Sequence, residues 1–424
     1  MKKAGKKAIA VLLTMLLLCS VMPLAFAYTV SSGTVGSLTW TLDSTGTLTV
    51  SGNGAMPDMD RFPWEAYKSQ VKSLTIGTGV TEIAEGAFWE CKNLTNVSIP
   101  NTVEQIDGLA FGGCSALTDL VIPGSVKTIG VDCFRECKNL RSVSLNYGLE
   151  ELEWRAFYSC TKLRTISIPG SLKGFDSEVF KDCEELTSVT IENGVEEIGR
   201  FAFWGCTNLR TLNLPSSLKT IKPGAFWKCQ FLNNVTLPEG LQEIDVAAFS
   251  ECFALDSVTI PKSTTLVDYM AFNGCTAMRD FKVLNPSCLL NDPFEQAPAE
   301  KANEIRLDYI WDVPAYSHYK LTVYGYAGST AETYAKRTNK NFTVLEGEPT
   351  GADFFTRVLA LLNPLIQRMK LILEHLFTAL FQSIQQTDTT QPVQQEQTAF
   401  DILNQLFSVC RSILSKVISM VTTV

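Results

Sequence analysis

Apolar residues between 71 and 284 recur in a fixed order. The stretch Ala87-Phe88-Trp89-Glu90-Cys91-Lys92-Asn93-Leu94-Thr95-Asn96-Val97-Ser98-Ile99-Pro100 reads A-F-x-x-C-x-x-L-x-x-V-x-I-P and returns every 23 residues. Phenylalanine stands at 88, 111, 134, 157, 180, 203, 226, 249 and 272, and cysteine follows three residues later in each of these nine rows. A fixed period of 20–29 residues around an L-x-x-L-x-L core marks a solenoid, in which each unit buries its apolar face only by stacking on its neighbours. Each row predicts one strand. In Leu117–Ile122 alternation turns Leu120 and Ile122 inward and Asp119 and Val121 outward. Proline then stops the strand at 100, 123, 169, 215, 238 and 261. A second apolar pair follows (Val103 and Ile106, or Leu218 and Ile221), and A-F-x-x-C predicts about one helical turn with Ala87, Phe88 and Cys91 on a shared face. Ten parallel strands from Leu74 to Val283 would form a sheet roughly 45 Å long at about 4.8 Å per row.

The flanks have other patterns. Residues 1–27 carry Lys2, Lys3, Lys6 and Lys7, an apolar run from Ala8 to Met22, and Ala25-Phe26-Ala27. This is the pattern of a secretory signal, with Tyr28 as the first mature residue. The apolar run of fifteen is short for a membrane span, and Leu18 before Cys19 does not suit a lipoprotein signal. Residues 28–70 predict a β-hairpin, with Ser37–Leu42 and Gly46–Gly52 alternating around Asp43-Ser44-Thr45. An array needs its open end covered, and Trp40, Trp64 and Tyr67 are placed to do so as an N-terminal β cap. The register is expected to fail after Cys275, so that residues 285–346 form a C-terminal cap. This cap has a strand-like run over 319–326, a short helix over 331–338 opened by the capping-box spacing Ser329-Thr330-Ala331-Glu332, and a last strand over 341–345. Residues 347–424 hold a linker and two amphipathic runs, 352–386 and 398–424, interrupted by Pro364 and a Gln/Thr-rich stretch over 382–397.

The repeat resembles the BspA-like leucine-rich repeat family of bacterial and protist surface proteins. The resemblance runs from about residue 31 to 346, with Trp40-Thr41-Leu42, Pro63-Trp64 and Val323–Ala331 matching the segments that lead and close such repeats. The architecture is then an α/β solenoid. It is a right-handed parallel leucine-rich repeat array over 71–284 with short helical turns on its convex side, a β-hairpin N-cap and C-terminal amphipathic helices. The resemblance implies a bacterial protein, secreted or held at the cell surface, that binds other proteins of host or matrix. Asn146 and Glu192 depart from the pattern where other rows have proline.

Charge and chemistry narrow the reading. Without residues 1–27 the chain carries 32 basic and 44 acidic residues, a net charge of −12, which disfavours a nucleic-acid partner. The chain has two histidines, His318 and His375, in different segments, and no H-E-x-x-H, C-x-x-C or P-loop pattern. No catalytic, cofactor or metal residues are therefore assigned. The nine in-register cysteines read as small buried core residues, as does Cys133. The outward strand columns carry Thr95, Thr118, Arg141, Arg164, Thr187 and Arg210 in the first position, and Ser144, Ser167 and Thr190 in the third. Solenoids bind through their extended sheet face, expected to be concave, so these are the candidate protein-binding residues, with the arginines as anchors. A rival patch on the opposite side is Trp89, Tyr158, Trp204 and Trp227, each one residue beyond a repeat Phe. The alternative there is packing over neighbouring rows. Two other functions stay open, a cell-envelope component held by its tail and a hydrolase using the array as a scaffold. From Gly351 on, five basic and five acidic residues balance, so the tail is expected to associate helix on helix, within or between chains, rather than through lipid.

Overall fold

The computed structural model describes residues 27–295 and 321–346. The leader, apart from Ala27, and the linker and amphipathic runs of 347–424 lie outside the described residues. Rows stack in parallel with the 23-residue register, so that Val143 lies beside Leu120 and Ile166 beside Val189. Strand alternation is as the pattern requires: Leu120 is 2% and Ile122 0% exposed, while Val121 between them is 60% exposed.

Each row contributes to two sheets. The first holds the longer strands, among them Ser73–Ile76, Asp119–Ile122, Ser142–Leu145, Thr165–Ile168, Ser188–Ile191 and Asp280–Val283. The second is built from the second apolar pair, as two-residue strands such as Gln105–Ile106, Thr128–Ile129 and Glu197–Ile198. The longer sheet is not continuous. No pairing joins Asn96–Ser98 to Asp119–Ile122, and residues 233–237 form no strand. Asn96, Asn233 and Asn234 stand at these breaks, where most rows carry residues better suited to a pleated surface.

The expected helical turn at A-F-x-x-C is absent. The segment is a run of tight turns, with bonds such as Cys91 N–H to Phe88 O. The residues two before and two after each repeat Phe have positive φ in all nine rows, for example Gly86 (63°) and Glu90 (57°), Arg155 (56°) and Ser159 (57°), Met270 (59°) and Gly274 (78°). A helix cannot contain left-handed residues at that spacing. The turn exchanges hydrogen bonds between rows instead. The N–H groups of Gly86, Phe88 and Glu90 donate to the carbonyls of Gly108, Ala110 and Gly112, and equivalent triplets repeat through Ala247, Phe249 and Glu251. The nine phenylalanines form one buried column, each 0% exposed, with neighbouring ring centroids 5.1–5.5 Å apart.

Where Pro is missing, glycine takes over the corner. Gly79, Gly148 and Gly194 have φ of 107°, 127° and 120°. Their N–H groups donate to the hydroxyls of Thr102, Ser171 and Ser217 one row later. Asn146 and Glu192 are thus part of a second corner design that needs Gly two residues on.

The array extends past both expected limits. Antiparallel strands Thr29–Val35, Leu38–Asp43 and Thr47–Gly52 open the chain, and the third pairs in parallel with Ser73–Ile76. Trp64 is fully buried, stacks 5.5 Å from Phe88, and donates its indole N–H to Ala87 O at 2.7 Å. Residues 47–71 are therefore already a row, with Trp64 in the phenylalanine column. At the other end the register does not fail at Cys275. Asp280–Val283 pairs with Ser257–Ile260, Leu289–Leu290 pairs with Leu266–Val267, and Phe294 packs on Phe272 at 6.0 Å. Thr322–Gly325 and Asn341–Val344 then extend the longer sheet in parallel. Between them runs a helix, Thr330–Arg337, opened by Ser329, whose side chain accepts from Glu332 N–H while the Glu332 carboxylate accepts from Gly328 N–H.

Candidate protein-binding face

The longer sheet presents its outward residues without cover. Arg141, Arg164, Arg210, Thr95, Thr187, Ser144 and Ser167 are exposed, and Thr118 and Thr190 are half-buried. Many of the hydroxyls are engaged locally. Thr95 and Thr187 donate to the carbonyls of Lys72 and Arg164, Ser144 to Asn146, and Ser167 to Glu192. Ser142 donates to Asp119, and hydroxyls from Ser142 and Thr118, together with the Arg141 charge, hold the Asp119 carboxyl below its usual range. Arg164 pairs loosely with Glu185 at 3.7 Å, with both side chains well exposed; such a pair is worth little and leaves the guanidinium available.

Arg210 is placed differently. Its guanidinium lies 4.5 Å from the ring of Phe231, which is 45% exposed. The pair sits beside residues 233–237, where the sheet ladder is open and no backbone–backbone hydrogen bond forms among the described residues. An exposed aromatic stacked on Arg, beside unspent backbone donors and acceptors, is suited to a partner contact. Reading the outward strand columns missed Phe231. The signal was available, since equivalent positions in other rows hold Asn93, Ala116, Asn139, Lys162, Glu185, Asn208, Ala254 and Ala277, small or polar residues throughout.

The rival aromatic patch is mostly interior. Trp204 is 8% and Trp227 1% exposed; their rings stack at 5.3 Å among Phe201, Val246, Ala247 and Met270. Trp89 and Tyr158 are half-buried. The Trp89 ring lies over Gly112 of the next row so closely that a Cβ there would stand 2.4 Å from it. Tyr158 is surrounded by cations, with Arg155 at 5.3 Å and Arg135 and Lys181 each at 5.8 Å from its ring. Arg155 and Lys181 both reach Glu178, at 2.9 and 3.3 Å. This side joins row to row and leaves little to a partner.

All nine column cysteines, with Cys133 and Cys288, are free and buried. Among the described residues no group of three or more His, Cys, Asp or Glu could hold a metal ion, and no helix is long and apolar enough to cross a membrane.

Stacked parallel rows with a buried leucine–valine–isoleucine–phenylalanine ladder define a leucine-rich repeat protein. The model of the BspA-type leucine-rich repeat region matches six copies over residues 65–187 and 155–279, and the chain belongs to that family. No curated protein matches it. Among solved structures, it is similar to a leucine-rich cell surface protein of Faecalibacterium prausnitzii A2-165 (23% identity, TM-score 0.33, covering 66% of this chain and 98% of that one). It is also similar to a leucine-rich repeat protein of Bacteroides ovatus (20%, 0.33, 74% and 100%) and to the pneumococcal vaccine antigen PcpA (15%, 0.32, 75% and 99%).

Proposed function

We propose that the protein is exported, stands at the bacterial cell surface, and binds other proteins through the outward face of the longer sheet. One observation carries this reading. The repeated apolar positions of each row are consumed by packing, whereas Arg141, Arg164, Arg210 and Phe231 stand exposed on one side of the array. The strands of 28–46 before the first row and residues 321–346 after the last serve as caps, within the segments 28–70 and 285–346 expected from the sequence, and the tail runs 352–386 and 398–424 provide attachment or self-association. The test compares binding of the chain and an Arg141→Ala/Arg164→Ala/Arg210→Ala variant to immobilised extracellular-matrix and cell-surface proteins. Loss of binding by the variant is expected; equal binding removes the arginine line. Deleting residues 351–424 should leave the unfolding transition of the array in place and abolish any oligomer seen by light scattering.

A further inference from the structure

We propose that the array assembles only from a fully reduced chain and that, once assembled, it resists thiol oxidation, so that folding must precede any contact with a disulfide oxidant. The inference rests on the cysteine column, independent of the binding face. Cysteine occupies the same position in nine successive rows. The rows advance by 5.1–5.5 Å, measured at the neighbouring phenylalanines. In-register side chains run parallel, so neighbouring Cβ atoms keep about that pitch, whereas a disulfide needs them roughly 3.5–4.5 Å apart. The thiols are also committed elsewhere. Eight of the nine donate to the phenylalanine carbonyl one row back, from Cys114 to Phe88 O at 3.2 Å through Cys275 to Phe249 O at 3.3 Å. Burial pushes Cys91 and Cys137 up to about 12 and the other column thiols upward as well, which suppresses the thiolate that exchange requires.

The unfolded chain has none of this protection. Its thiols ionise near the ordinary value of about 8.5, and neighbours 23 residues apart meet at modest loop-closure cost. With oxidised glutathione, one cysteine thiolate attacks the reagent disulfide and releases one glutathione. A second cysteine thiolate then attacks the mixed disulfide and releases the other. Two cysteine thiols are oxidised to one disulfide, and one oxidised glutathione is reduced to two thiols. No pair among the eleven described cysteines is bonded in the fold, so every disulfide formed among them before folding is non-native. For a chain carrying an export leader, this requires a route on which folding outruns oxidation.

The experiment uses residues 28–424 with Cys410→Ser, since Cys410 lies outside the described residues. Chain unfolded in guanidinium is refolded by dilution either before or after treatment with oxidised glutathione, against a reduced control. Chain refolded first should keep eleven free thiols and its full unfolding transition. Chain oxidised first should refold in about tenfold lower yield, restored by dithiothreitol. Equal yield, or a loss that dithiothreitol does not restore, overturns the proposal. A second measurement needs no refolding: the purified native chain is held with oxidised glutathione across a urea series. Thiol loss should begin only where the unfolding transition begins, and loss well below it overturns the proposal.

Discussion

The two outward sides of a row obey different rules. On the longer-sheet face, Arg141, Arg164, Thr187 and Arg210 follow one another down one column without packing on each other, because each projects into solvent and needs only to tolerate a strand. On the turn side, Trp89 fills the space over Gly112, Trp204 stacks on Trp227, and Glu178 gathers Arg155 and Lys181. A change there is felt one row away. Function can vary freely on the first side, whereas the second holds the pitch.

The contrast is broken most strongly from the core behind the turn. Phe180→Ala removes a ring stacked between Phe157 and Phe203 at 5.5 and 5.3 Å. It should cost about 3–5 kcal/mol in urea unfolding, and a cost like that of a surface change would mean the column relaxes around the gap.

A carboxylate near the turn offers the next effect. Burial, opposed by the Val246 N–H bond and reinforced by Asp268, raises Asp245 from 3.8 to about 6. Lys222 and Glu243 complete its charged surroundings. A raised folded value means the folded chain holds this proton more tightly than the unfolded one. Its stabilising contribution is therefore present below about pH 4 and is lost as pH rises through about 6. Asp245→Asn keeps the acceptor and should be more stable than the parent at pH 7 by roughly 3 kcal/mol, with the difference gone at pH 4. Parallel stability–pH curves for the two chains would refute this.

Ser159→Gly should yield a smaller gain. Ser159 holds φ at 57°, where Gly113, Gly205 and Gly274 serve other rows. Relief of that backbone should raise stability by about 0.5–1 kcal/mol net of the entropy glycine adds to the unfolded chain, read as a shift in the urea midpoint. The smallest effect belongs to the sheet face. The triple arginine variant should unfold within about 0.5 kcal/mol of the parent per site, so that any loss of binding is read as loss of contact rather than loss of fold.

Much of this was legible in the chain. The Phe and Cys columns, the alternation at Leu120 and Ile122, and the parallel stacking follow from period alone. The turn was not, because i, i+3 and i, i+4 spacing describes a tight turn and a helical turn equally well. The distinguishing marks were scattered glycines, Gly86 and Gly224 before the Phe and Gly113, Gly205 and Gly274 after it, at positions that other rows fill with residues as varied as Leu109, Asp132, Phe201 and Lys228. The ends were misjudged because Trp64 replaces Phe and the step from Phe272 to Phe294 is one residue short of the period. A regular spacing cannot anticipate its own lapse. On the binding face, Arg210 was readable from its column, but Phe231 lay outside the strand positions and gains its meaning from the side chain beside it.

The turn ladder gives the molecule an electrical direction. Three peptide units in each of eight rows, and two in the ninth, point their N–H groups toward the following row and their carbonyls toward the preceding one, aligned head to tail as in a helix but in the opposite chain sense. Summed over nine rows, the turn side carries partial negative charge at its first end and partial positive charge at its last. The ends are furnished accordingly. The indole N–H of Trp64 meets the carbonyl of Ala87 at the first, and Asp292 and Glu295 stand at the last, drawing Arg337, Lys340 and the Tyr334 hydroxyl around them. Rows could be added or removed in the middle without disturbing either terminus, but the termini could not be exchanged.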